Sequence, residues 1–273
     1  MVKRCLLLLI ALSLMPTCKS NESSPPPPPP PTAQSITVNS SSDMLYIGIE
    51  ETFTATATMS DGSTKAVTGG VWGGDNPSVA TVEAGTGRVI IVGSGMVSIY
   101  VDYQGRRGAK VIRGLPNYQG TWVGSYYIVS CKSTGDYKSS NFCGSFPVNR
   151  VFPHNLSLTQ DEDRVEGRFY LGTLGADASG PVQTDGQLQL TGAVKEGINT
   201  IEVGWTLQSK TAGRITGTLN QLWRATGYSG DGRLSCKIRD CDRTTILTTP
   251  TPPGMFLVPK PTLEDLIRAL VGR

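Results

Sequence analysis

The chain has 273 residues and a formal net charge of +3, and only 7% of its residues are aromatic. Lys3 and Arg4 lie in an apolar leader, so the rest of the chain carries about +1, scattered rather than gathered into a basic stripe. Because nucleic-acid binding depends on clustered Lys and Arg that displace counterions, we exclude nucleic acid as a partner. Frequent glycine, threonine and valine predict strands joined by tight turns.

The chain begins with a basic start and a short apolar run from Cys5 to Met15. This layout predicts a signal peptide over residues 1–17, with an N-terminal membrane anchor as the alternative. The sequence Leu-Met-Pro-Thr-Cys, which ends at Cys18, resembles the cleavage site of bacterial lipoproteins. That resemblance implies acylation of Cys18 and attachment to a membrane. Cleavage after Ser20 by an ordinary signal peptidase is the rival interpretation.

Seven consecutive prolines dominate the next segment, residues 18–33. Seven residues of polyproline II helix span about 22 Å, so the segment is expected to be a stiff tether. Such a spacer would hold a folded region away from a membrane or a cell wall. The sequence therefore predicts an extracytoplasmic protein of the cell envelope, anchored by lipid in the outer membrane or at the cell surface.

The cysteines beyond Cys18 fit an oxidising compartment, because their number is even. Three pairings are possible, and the local ones are favoured because each would staple a single loop. These are Cys131 with Cys143 and Cys236 with Cys241. A zinc site is disfavoured by the spacing, since neither pair is C-x-x-C and His154 is the single histidine. No metal ligand and no cofactor-binding residue is predicted.

Residues 34–113 show the period-two pattern of a β-sandwich, in which Phe53, Ala55, Ala57 and Met59 are expected to share a buried face. The segment resembles a group 2 bacterial Ig-like domain. The resemblance rests on several landmarks in order: Ile36-Thr37-Val38, Leu45, Gly48, Ser60-Asp61-Gly62, Trp72, Asn76 to Val82, Gly87-Arg88-Val89 and Gly93-Ser94-Gly95. It implies an extracytoplasmic module of surface proteins without catalytic residues. Trp72 is interpreted as a core residue.

Residues 116–246 alternate in the same way over seven or eight segments, which predicts a second antiparallel β domain, either an up-and-down barrel or another sandwich. The overall fold class is therefore all-β. The opening Gly120-Thr121-Trp122 resembles the first strand of lipocalin-like and avidin-like barrels. No ligand residue is carried over from that resemblance.

Five aromatic residues of this region are candidates for contact with a ligand or partner. The long loop from Cys131 to Pro153 contains Tyr137 and Phe142 and is the expected contact surface. Trp122, Trp205 and Trp223 could line a pocket inside a barrel, although plugging its core is the favoured interpretation.

No catalytic residue is predicted. His154 lacks the G-x-S-x-G context of a hydrolase and is interpreted as a surface histidine. The acidic cluster of Asp161, Glu162, Asp163 and Glu166 falls at an expected hairpin tip, where a solvated turn is the usual outcome. The cluster lacks the regular spacing of a calcium loop.

The last residues divide into a proline-containing linker, residues 247–261, and an amphipathic helix, residues 262–272. The helix is expected either to pack back on its own chain or to dock on a partner or membrane surface.

Together these features predict an exported bacterial envelope protein with a non-enzymatic binding or adhesion role, its partner an envelope or surface protein or a glycan. A small-ligand-binding β-barrel lipoprotein is the alternative, and an enzyme of unknown chemistry comes third. An open apolar barrel interior would favour the ligand carrier, and a filled one the binding module.

Overall fold

The computed structural model describes residues 27–172, 174–211, 213–244 and Ile267. The chain divides into two units, Met1–Pro31 and Thr32–Arg273. The predicted signal peptide, the acylation site Cys18 and most of the tether lie outside the described residues, as do the linker 247–261 and all of the C-terminal helix but Ile267. Within the described part of the chain, no helix has the length and apolarity needed to cross a bilayer.

The described region is all-β, as predicted, with two short helices. Ten strands precede residue 116: β1 (Ala33–Asn39), β2 (Met44–Tyr46), β3 (Glu50–Thr52), β4 (Thr54–Met59), β5 (Thr64–Ala66), β6 (Val71–Gly74), β7 (Ala80–Val82), β8 (Arg88–Ile91), β9 (Gly95–Tyr103) and β10 (Arg106–Leu115). They form three small sheets, of order β1-β4-β5, β2-β10-β9-β6 and β3-β8-β7.

Alternation along β4 and β9 builds the core of these sheets. The predicted buried face of Phe53, Ala55, Ala57 and Met59 is confirmed, with each residue at most 6% exposed. Trp72 lies in the same core as Phe53. The predicted turn at Asp61-Gly62 joins β4 to β5, and Gly62 takes a positive φ of 81° that favours glycine.

The remaining strands are β11 (Gly120–Ser133), β12 (Val151–Asp161), β13 (Arg164–Leu171), β14 (Leu174–Pro181), β15 (Leu188–Glu196), β16 (Asn199–Thr211), β17 (Arg214–Ala225) and β18 (Gly232–Thr244). They pair antiparallel in chain order and close into an eight-stranded up-and-down barrel. Of the two architectures left open by the sequence, the barrel is therefore the one adopted. The closing ladder joins β11 to β18 and includes the pair Thr121–Thr244.

One end of the barrel abuts the sheet of order β2-β10-β9-β6. The buried side chain of Arg113 on β10 donates to Asp163 at 2.9 Å and to the carbonyl of Val182 at 2.6 Å. The acidic hairpin tip expected to be solvated is thus partly a contact between the barrel and the sheets, because Asp163 neutralises a buried guanidinium.

Candidate functional site

Side chains fill the barrel interior at three levels. Trp122 lies near the end that faces the three sheets, Trp205 near the middle and Trp223 near the far end. They are at most 2% exposed and belong to one continuous core. An eight-stranded barrel is just wide enough for its own side chains, so three indoles leave little room for a ligand. The pocket interpretation of these tryptophans therefore gives way to core packing.

The end that faces the sheets is closed by Tyr118 and Trp122. The Tyr118 hydroxyl donates to the Gly186 carbonyl at 2.8 Å and accepts from the Ser209 N–H at 3.2 Å. The indole N–H of Trp122 donates to the Tyr118 carbonyl at 2.8 Å, and the Arg243 guanidinium lies 4.7 Å from the ring centre of Trp122. These bonds pair the polar groups of the plug, so burying it costs little.

The far end is covered by a lid, residues 134–149, that contains α1 (Gly135–Ser139) and α2 (Phe142–Ser145). The ring of Phe142 lies 5.6 Å from that of Tyr137 and 5.4 Å from that of Trp223. Tyr137 and Phe142 are 1% and 0% exposed, so the prediction that they form a contact surface is wrong. The barrel mouth is apolar, and burying these rings covers it.

A disulfide fixes the lid to β11. Cys131 and Cys143 are bonded, with Cα atoms 5.7 Å apart, which confirms the first predicted pair.

Replacing both cysteines with serine is expected to lower the free energy of unfolding by about 3 kcal/mol, since the bond closes a short loop and restrains the unfolded chain. Urea unfolding followed by tryptophan fluorescence will measure the loss. A variant with alanine in place of both Cys236 and Cys241 is the control. Its lid should resist proteolysis as well as the wild-type lid does. Equal lid proteolysis in both variants would contradict a stapled lid.

The interior also holds a small polar group around His154. The indole N–H of Trp205 donates to His154 Nε2 at 2.9 Å, which assigns the imidazole proton to Nδ1. Nδ1 faces the Cys241 sulfur at 3.8 Å. His154 is 0% exposed, so the surface interpretation is wrong. Period-two alternation places it inside, between Phe152 and Leu156 on the buried face of β12.

This Cys–His contact is poorly suited to nucleophilic chemistry in the closed barrel. Burial lowers the pKa of His154 from 6.5 to about 4 and raises the pKa of Cys241 to about 12. A thiolate–imidazolium pair would place two charges in an apolar interior, and the pKa values show that both groups strongly favour their neutral forms. The arrangement therefore satisfies a buried histidine rather than activating a sulfur.

A second polar network lies beside the first. Gln221, 3% exposed, donates to the Tyr126 hydroxyl at 3.2 Å and accepts from the Trp223 indole N–H at 3.0 Å. The Tyr126 ring lies perpendicular to the imidazole of His154, with ring centres 6.2 Å apart. Sequence reasoning missed Gln221 and Tyr126, although both fall at inward positions of their strands. The signal that could have identified Gln221 is a polar residue at a strand position where the alternation predicts an apolar, inward-facing one.

The second predicted disulfide is absent, because Cys236 and Cys241 are both buried free thiols. They lie five residues apart on the single strand β18, a distance of roughly 16 Å, whereas a disulfide needs Cα atoms within about 7 Å. Sequence proximity was misleading, since the segment is an extended strand and forms no loop.

These thiols are expected to resist alkylation in the native state. Burial raises the pKa of Cys236 and of Cys241 to about 12, and the reactive species is the thiolate. Iodoacetamide treatment followed by peptide mapping should label both only after unfolding without reductant, and Cys131 and Cys143 only after reduction. A native-state label on Cys236 would contradict the packed interior.

Within the described residues, no three His, Cys, Asp or Glu side chains lie close enough together to hold a metal ion. The carboxylates near the hairpin of β12 and β13 lie in different environments. Asp163 binds Arg113, whereas Asp161 and Glu162 are exposed.

The outer wall of the barrel carries a concave surface across β15 to β18, which we call the outer groove. Its volume is about 750 Å³, and it is lined by Thr191, Glu202, Gly204, Asn220, Arg233 and Ser235 among others. A smaller depression of about 580 Å³ crosses β12 to β14 and contains the ion pair of Arg168 with Asp177. Sequence reasoning did not predict either surface, because each depends on the register between several strands and not on a local motif.

Comparison with known proteins gives little guidance. No family model matches the chain, and no curated protein matches it. Among solved structures, domains 5–6 of the S-layer protein SbsC align at 17% identity and a TM-score of 0.29, over 76% of this chain and 98% of those domains. At that TM-score the likeness supports no argument about fold or function.

Proposed function

We propose that the chain is an exported bacterial cell-envelope protein with a non-enzymatic binding or adhesion role. The basic start, the apolar run and Cys18 support export and lipid anchoring, and the proline tether suits a protein held off a surface. The Cys131–Cys143 disulfide is compatible with an oxidising compartment outside the cytosol.

We also propose that residues 34–113 are a group 2 bacterial Ig-like module. The landmarks of the resemblance fall at structurally consistent positions, with Trp72 in the core and the Asp61-Gly62 turn between β4 and β5. Such a module serves as a spacer or an adhesive surface, so the binding specificity is assigned to the barrel.

The observation that carries the binding role is the packed barrel interior. Tryptophans occupy its three levels, and the lid covers one mouth. An interior filled in this way favours a module that binds through its outer wall over a carrier that encloses a small ligand.

Export and anchoring can be tested together by expressing the full chain in a bacterial host. We expect the protein in the membrane fraction, with an acylated N-terminal Cys18 detected by mass spectrometry. The Cys18→Ala variant should lose the lipid. Purified soluble protein should then bind isolated envelopes saturably. Retention in the cytosol, or no saturable binding to envelopes, would contradict the proposal.

A further inference from the structure

Gly204 has no packing reason to be glycine. Glycine inside a strand weakens it, so a strand glycine usually marks a bulge or a close approach of another backbone. A Cβ atom on Gly167 would lie 1.9 Å from the Ser157 carbonyl oxygen, and one on Gly180 would lie 1.8 Å from that of Gln189. A Cβ on Gly204 would meet nothing within 4 Å. The missing side chain instead leaves space on the outer wall, at the floor of the outer groove.

Uncharged residues cross the wall in register at this level. The backbone pairs Thr191–Gly204, Gly204–Asn220 and Asn220–Ser235 place these four positions side by side on β15 to β18. Ser179 of β14 extends the row through its pair with Thr191. Neighbouring strands are about 4.8 Å apart. The row presents one polar side chain on every strand except β16, where Gly204 leaves a gap.

The polar groups of this row are available to a ligand. Among the described residues, the side chains of Thr191, Asn220 and Ser235 have no hydrogen-bond partner in the protein, and all three are exposed. An amide supplies both donors and acceptors, and a hydroxyl can act as either.

Charges beside the row are already paired. Glu202 accepts from Arg224 at 3.1 Å, and Arg233 pairs with Asp231 at 2.7 Å. The half-buried Leu222 adds an apolar strip between Glu202 and Arg233. The groove therefore offers neutral hydrogen bonding beside a small apolar surface, which matches a ligand with hydroxyl groups on one side and C–H bonds on another.

Two other ligand classes fit less well. An extended peptide gains most of its affinity from a free sheet edge, and β15 to β18 are each paired on both sides in the closed barrel. A nucleic acid requires unpaired cationic groups along its path, and the row itself carries none. A sugar ring advances an extended glycan by a distance close to the spacing between strands, so successive rings can meet successive strands.

We propose that the outer groove binds a neutral glycan chain, which lies across β15 to β18 with a sugar ring over Gly204. This inference rests on the proposed binding role and assigns its ligand class and site. The groove volume of about 750 Å³ lies within the range of roughly 300–1,000 Å³ that is common for ligand sites, enough for several sugar rings.

The test uses the full chain and soluble hexasaccharides of glucose, N-acetylglucosamine and mannose as probes, with heparin as a polyanionic comparison. Titration calorimetry should detect saturable binding of at least one neutral hexasaccharide and none of heparin. Gly204→Tyr should weaken that binding at least about tenfold, because the ring fills the groove, and Asn220→Ala should weaken it about fivefold, the effect of one hydrogen bond.

Gly85→Tyr is the matched control, since a Cβ at Gly85 also meets nothing within 4 Å and the residue lies far from the barrel in sequence. It should leave hexasaccharide affinity unchanged. Both tyrosine variants should retain the wild-type Tm, which separates loss of binding from loss of folding.

Two outcomes would overturn the inference. One is the absence of binding by all three neutral hexasaccharides, and the other is undiminished binding by Gly204→Tyr. Envelope binding by the same variants separates the two proposals. If wild type and Gly204→Tyr bind envelopes equally, the groove assignment fails while the binding role stands. If the wild type binds no envelope, the binding role itself fails.

Discussion

Replacing Gly167 with alanine is expected to destabilise the barrel by about 3 kcal/mol or more, because overpacking beside a rigid backbone has few means of relief. The new Cβ would lie 1.9 Å from the Ser157 carbonyl oxygen and 2.8 Å from the Leu158 Cα on the neighbouring strand. Either β12 or β13 must shift, and the ladder between them holds the core residues Leu156 and Phe169 in register. Thermal and urea unfolding will show a large loss of Tm and of midpoint concentration.

The same substitution at Gly204 provides the control. Since a Cβ there meets nothing within 4 Å, alanine should be neutral or stabilise the strand by a few tenths of a kcal/mol. The two glycines thus receive identical changes with opposite expectations. Equal effects on stability would show that general strand propensity, and not close backbone approach, decides both positions.

Acid is expected to destabilise the barrel through His154. Its pKa is about 4 in the folded protein and near 6.5 when unfolded, so between these pH values the unfolded state binds more protons. The folding stability that comes from holding His154 neutral is fully present above pH 6.5, and it declines as the pH falls toward 4. A difference of this size corresponds to about 3 kcal/mol.

Urea unfolding of wild type and of His154→Gln at several pH values between 7 and 4 will measure this effect. Glutamine places an acceptor oxygen near the position of Nε2, so it can keep the bond from Trp205 but cannot titrate in this range. The variant should lose most of the dependence between pH 6.5 and 4, while the exposed carboxylates, common to both proteins, cancel in the comparison. Parallel pH profiles would contradict a buried neutral histidine.

Strand periodicity made much of the fold predictable from sequence. The buried face of β4 and the hairpin of β12 and β13 follow from alternating apolar residues, because the side-chain period of a strand is fixed at two. The sequence could not choose between a barrel and a second sandwich, since that choice depends on whether β11 pairs with β18, more than 100 residues away. No local pattern encodes such a pairing.

The errors concern positions whose environment is set by distant strands. His154 was taken for a surface residue because it lacks the G-x-S-x-G context of a hydrolase, although its place in the alternation of β12 pointed inward. Tyr137 and Phe142 were assigned to a contact surface because their loop is long and polar, yet the apolar barrel mouth draws both rings inward. Cys236 and Cys241 were paired because they are close in sequence, although an extended strand separates them.

The outer groove lay beyond sequence reasoning for a related reason. Thr191, Gly204, Asn220 and Ser235 are unremarkable in their own segments, and they form a row only after three backbone ladders are in register. In the sequence, Gly204 is one of several glycines that fall inside predicted strands. The structure separates it from Gly167 and Gly217, which do pack against neighbouring backbone.

The closing ladder has a consequence for protein engineering. Thr121 near the start of β11 and Thr244 at the end of β18 are paired residues, so the chain enters and leaves the barrel at adjacent points. A module whose ends are adjacent can be transplanted into a surface loop of an unrelated host without stretching either protein. The barrel from β11 to β18 is thus suited to transfer as one module, with the host loop joined at a single rim.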